Sequence, residues 1–156
     1  MRRLIAASFA ALALSGEAAA ETIASFLCRE PQGITYGLPN AGEHAGFVED
    51  GLSGGFMRIT VGDHFPGGAD ISYRDAAGRF VSHAERGGTV HLVGVSEVEM
   101  TFRVDAYDPN NPLDSFTYLI TDAFTPNAKL TYVQITPTTG FIPRVSIFSA
   151  DCERIQ

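Results

Sequence analysis

The chain has 156 residues and a formal net charge of −7, with 45% hydrophobic and 19% charged residues. An acidic balance of this size excludes a nucleic-acid binder, which needs a basic face to displace counterions. Beyond the first 20 residues no segment approaches the roughly 20 apolar residues of a spanning helix, which excludes an integral helical membrane protein.

Met1-Arg2-Arg3 is a short positive stretch, residues 4–14 are apolar, and Ala18-Ala19-Ala20 supplies small residues at a cleavage site. That layout predicts a secretory signal peptide over residues 1–20 and one β-domain over residues 21–156. The apolar run is too short for a membrane anchor, and Glu17 follows it where an anchor stays apolar. Cys28 follows Ser25-Phe26-Leu27 rather than small residues, which argues against a lipoprotein cysteine. Cleavage after Ala20 leaves 136 residues and makes the net charge −8, because Arg2, Arg3 and Glu17 are removed. The expected location is the periplasm or the extracellular medium.

Such a compartment is oxidising, and two cysteines remain, Cys28 and Cys152. One disulfide joining the first strand to the last is expected. Closing a loop of about 125 residues is worth at most ~5 kcal/mol in the chain-entropy model. No C-x-x-C motif points to redox chemistry.

The hydrophobic period is two almost everywhere, and no clean helical stripe occurs. Strands are expected at residues 23–29, 55–61, 69–75, 79–85, 89–95, 97–105, 115–121, 129–136 and 144–152. The clearest is 97–105, where Val98, Met100, Phe102 and Val104 alternate with Glu97, Glu99, Thr101, Arg103 and Asp105. Ala76-Ala77-Gly78, Arg86-Gly87-Gly88 and Pro126-Asn127 read as turns. The fold class is therefore all-β: one antiparallel β-barrel or β-sandwich of about 8–10 short strands, its N- and C-terminal strands joined by the disulfide. A closed barrel is preferred, because the staple holds the first and last strands together and removes sheet edges. Residues 37–54 and 105–114 read as long irregular segments.

Gly51-Leu52-Ser53-Gly54-Gly55 matches G-x-S-x-G, in which glycines permit a strained strand-to-helix turn that exposes a serine. Here Phe56-Met57-Arg58-Ile59-Thr60-Val61 follows as a strand, so the match reads as a glycine-rich turn and no enzyme is expected. The histidines give a metal hypothesis. A three-residue loop at Arg86-Gly87-Gly88 would place His83 opposite His91, with Glu85 on the same face. Two imidazoles and a carboxylate suit Zn²⁺ or Cu²⁺. A surface histidine pair without metal is the blander reading, and the preferred one.

His44 and His64 lie near acids and read as solvated side chains. Asp105, Asp108, Asn110, Asn111 and Asp114 offer oxygen ligands for Ca²⁺, but Asp-Pro and Asn-Pro are ordinary turn chemistry and the EF-hand spacing is absent. Glu97 and Glu99 read as a solvated strand face.

The function expected is binding, first of a small apolar or amphipathic ligand inside a barrel. The alternative is an acidic interaction or inhibitor module for a basic secreted or periplasmic protein. A second alternative is a small outer-membrane barrel, which the short strands and polar last residues disfavour.

Overall fold

The computed structural model describes residues 21–37, 46–51, 55–74, 77–105, 115–136 and 144–156. The expected signal peptide, His44, Ser53 and residues 106–114 lie outside them. Ten strands form: β1 (Thr22–Gly37), β2 (Gly46–Gly51), β3 (Phe56–Gly62), β4 (Gly68–Arg74), β5 (Phe80–Ser82), β6 (Thr89–Val95), β7 (Glu99–Asp105), β8 (Ser115–Thr121), β9 (Lys129–Thr136) and β10 (Arg144–Arg154). One 3-10 turn, Ala84–Arg86, separates β5 from β6.

All pairings are antiparallel, and β10 returns to pair with β1. Two of the barrel's eight staves are broken strands. β2 and β3 both pair with one edge of β1, and β5 and β6 both pair with one edge of β4. The result is a closed eight-stave, up-and-down barrel, one of the two architectures expected. Cys28 and Cys152 are directly opposed on the β1–β10 seam and form the expected disulfide.

Alternation decides what faces inward. Val61, Ile59 and Met57 of β3 oppose Ala69, Ile71 and Tyr73 of β4. Met100, Phe102 and Val104 of β7 oppose Ile120, Tyr118 and Phe116 of β8. Phe26, Ile59, Ile71, Phe102, Ile120 and Leu130 are fully buried in this core. At about 25 cal/mol per Å² of apolar surface, each contributes roughly 2 kcal/mol. One end of the barrel is closed by short turns at residues 63–67, 96–98 and 122–128, with Ala123 and Ala128 buried beneath them. At the opposite end β1, β4, β7 and β9 finish and β2, β5, β8 and β10 begin.

β1 extends well beyond the expected residues 23–29, and β2 falls inside the segment expected to be irregular. The physical reason is a bulge. Glu30 adopts φ 45° and donates its N–H to the Gly55 carbonyl, and the β1–β10 register slips between Arg29 and Gln32. The extra residue reverses the parity of β1, so Cys28 faces inward before the bulge, and Pro31, Gly33 and Thr35 after it. A side chain at Gly33 would overlap the Ile147 carbonyl, so only glycine lets β1 and β10 approach there.

Candidate functional site

The interior half near the end where β1, β4, β7 and β9 finish differs chemically from the rest. Buried polar side chains are few, and three of the four that occur among the described residues, Thr35, His83 and Ser146, lie in this half. Each arrives by a separate local device.

His83 is placed by the 3-10 turn. Ser82 Oγ accepts the Glu85 N–H at 2.9 Å, and a Glu85 carboxylate oxygen accepts the Ser82 N–H at 2.9 Å. This is a reciprocal capping box, S-x-x-E. The turn ends in Gly87 at φ 81°, and the N–H groups of Gly87 and Gly88 return to the carbonyls of Ala84 and His83. That closure is a Schellman motif, which needs a residue free to adopt positive φ. The His83 N–H meanwhile donates to Ile71 of β4. The imidazole is held inside, 8% exposed, with Nε2 3.3 Å from the Tyr118 hydroxyl. The rings of Tyr73, Phe116 and Tyr118 surround it. Burial first, and the Arg86 charge second, depress its pKa from 6.5 to about 4, so it is neutral at pH 7.

An aromatic row crosses three adjacent strands. Phe116 and Tyr118 of β8, Tyr132 of β9 and Phe148 of β10 stack successively, with centroids 6.3, 5.2 and 4.9 Å apart. The cross-strand register continues the Tyr118–Tyr132–Phe148 row through Gly33 to Asp50 of β2. Because Gly33 has no side chain, Asp50 is not screened from the rings by a neighbour in the row. Burial, then the Asp50 charge, pushes the Tyr132 phenol up to about 12. Burial also raises the Tyr118 phenol, together with its Tyr132 and Tyr73 neighbours.

One step nearer that end, Phe116, Gln134, Ser146 and Thr35 form the next inward row. Thr35 Oγ1 donates to Asp50 Oδ2 at 2.9 Å and lies 2.8 Å from Ser146 Oγ. Arg144 reaches the same Asp50 oxygen at 3.0 Å. The Gln134 amide nitrogen donates along its own strand to Thr136 Oγ1, at 3.0 Å.

The hairpin that would oppose His83 and His91 does not form. β5 and β6 each pair with β4, so the turn between them inverts the parity expected for β5. His83 faces inward, whereas His91 lies outside with Nε2 3.1 Å from an Asp105 oxygen. Glu85 caps its turn. Among the described residues, no three His, Cys, Asp or Glu side chains are grouped to hold a metal ion. Asp105 is engaged by both His91 and Arg103, the latter at 2.8 Å. His64 sits at the β3–β4 turn against Phe65, 3.9 Å from Asp63. Glu97 and Glu99 are exposed. The polar groups that do converge, Thr35, Asp50, Gln134, Arg144 and Ser146, carry no sequence motif. Only their parity around the unforeseen bulge and β2 brings them together.

No protein-family model, curated protein or solved structure matches this chain.

Proposed function

We propose that this is an exported protein that acts by binding a small amphipathic ligand inside the half of its barrel that holds Thr35, His83 and Ser146. One observation carries the reading: buried polar side chains converge with an aromatic row in that half, whereas Ser25, the fourth buried polar side chain among the described residues, lies on the outward parity of β1 beside Thr60. Burying polar groups costs free energy unless they are bonded, and here Thr35 bonds Asp50 and Ser146 while His83 reaches Tyr118. Small-molecule sites combine apolar walls with a few placed polar groups, and eight-stranded barrels are wide enough for one small ligand. The leader-like residues 1–20 and the Cys28–Cys152 bond support export.

The membrane alternative is disfavoured by polarity. Outward positions of β7 are Glu99, Thr101, Arg103 and Asp105 along its whole length, while Met100, Phe102 and Val104 face inward. An outer-membrane barrel has the reverse arrangement, an apolar outer band about 25 Å tall.

A second reading, an interaction module for a protein partner, is favoured by the outer face of β9, β10, β1 and β2. There Ile135, Val145, Tyr36 and Phe47 form one cross-strand row, and Val133, Ile147 and Ile34 the next. Phe47 is 73% exposed.

Titration with the neutral dye N-phenyl-1-naphthylamine separates the two surfaces. Dye affinity, read from fluorescence enhancement, is expected to fall at least tenfold in Gln134→Phe, which enlarges an inward side chain opposite Ser146, and to persist in Ile147→Ser on the outer face. The opposite pattern, or no enhancement in the parent protein, would defeat the interior site.

A further inference from the structure

Hydrogen-bond direction sets the polarity of this site, and so the kind of head group it accepts. Asp50 is a carboxylate and can only accept. The single Thr35 hydroxyl proton is therefore spent on Asp50 Oδ2, at 2.9 Å. Ser146, 2.8 Å from Thr35 Oγ1, must then donate its own proton to that oxygen. The chain runs one way, Ser146 to Thr35 to Asp50, and leaves Ser146 with acceptor lone pairs only. Gln134 is directly opposite Ser146 on the neighbouring strand; one of its amide protons serves Thr136 Oγ1, and its carbonyl oxygen is a second acceptor beside Ser146. The cation beside these groups, Arg144, is tied to the same Asp50 oxygen at 3.0 Å and lies outermost, its side chain 54% exposed. Deeper in, the aromatic row from Phe116 to Phe148 supplies an apolar wall.

We infer that the interior site selects a ligand whose head donates hydrogen bonds, a primary amine on a compact aromatic or alkyl body. An ammonium carries three donors and no acceptor, matching adjacent acceptors on Ser146 and Gln134. A carboxylate presents only acceptors and meets Ser146 Oγ without a proton between them. The acidic balance of the chain adds a field of the right sign. The inference rests on the interior binding site proposed above.

The test is calorimetry with three probes that share one phenylethyl body: 2-phenylethylamine, 2-phenylethanol and 3-phenylpropanoate. The amine is expected to bind at least tenfold more tightly than the carboxylate, with the alcohol between. Asp50→Asn frees the direction of the hydroxyl chain and should reduce that preference to less than threefold, while naphthylamine-dye binding persists. A thermal melt checks that the variant is folded, and Ser146→Ala, which removes the acceptor itself, is the second variant. Carboxylate binding equal to or tighter than amine binding would overturn the inference and leave the interior site standing, with Arg144 as its recognising group. An amine preference unmoved in both variants would overturn it as well. Failure of all three probes and of the dye would remove the site and the inference together.

Discussion

Lowering the pH from 7 to 4 should destabilise the protein through His83. An unfolded histidine has a pKa near 6.5, and in the folded barrel burial holds His83 at about 4. Between those values the unfolded chain binds a proton that the folded chain refuses, so stability rises with pH. The contribution is complete above pH 6.5 and is lost as pH falls through about 4. At 1.36 kcal/mol per pKa unit the loss by pH 4 is about 3 kcal/mol. A domain of about 136 residues has an unfolding entropy near 0.3 kcal/mol/K, so Tm should fall by about 10 °C from this group alone. Asp70 acts in the opposite sense. Burial raises its carboxyl pKa despite hydrogen bonds from Ala84, Ile71 and Ser82, so its contribution grows as pH falls. The difference between wild type and His83→Gln removes that background. Circular-dichroism melts at half-unit steps from pH 7 to 4 should show a wild-type Tm that falls about 10 °C further than the variant's. Parallel curves would refute the reasoning, as would a His83 ring proton titrating near pH 6.5 by NMR.

Two further outcomes concern the seam of the barrel. Replacing both Cys28 and Cys152 with alanine should lower unfolding free energy by about 3–5 kcal/mol in urea titrations, given a sequence separation of 124 residues. The far-ultraviolet spectrum should not change, because the β1–β10 ladder extends to either side of the disulfide. A shift under about 1 kcal/mol would mean that the seam's pairing already restrains the unfolded ends. Gly33→Ala places a methyl group on the Ile147 carbonyl and should cost about 1–3 kcal/mol. Faster amide exchange confined first to residues 144–149 of β10 would mark the parted strands, and unchanged exchange would show that no close approach exists.

Most strand positions were legible because a half-buried strand announces itself by period two. Residues 115–121 and 129–136 form strands with the expected limits. Met57, Ile59 and Val61 of β3 and Phe116, Tyr118 and Ile120 of β8 recur at every second position in the sequence and face inward. Val98 is the exception on β7: it lies in the turn before the strand and is 55% exposed. β1 and β2 were harder, since Glu30-Pro31 and the glycines around β2 resemble loop composition. Only pairing with β10 and β3 holds a bulge there against about 1 kcal/mol of left-handed strain at Glu30. The capping box at Ser82-His83-Ala84-Glu85 was a readable signal. It would have replaced the hairpin loop by a turn, and so turned His83 inward.

Alternation and a cysteine count are local or arithmetical facts, and they sufficed for an all-β barrel or sandwich and for the pairing of Cys28 with Cys152. Closure, the sharing of β4 by β5 and β6, and the assembly of Thr35, Asp50, Gln134 and Ser146 came from packing in three dimensions. Those four residues come from four strands, and one inserted residue at the Glu30 bulge sets which of them share the interior. Parity across a bulge depends on the partner strand's register, and no stretch of a single strand encodes it.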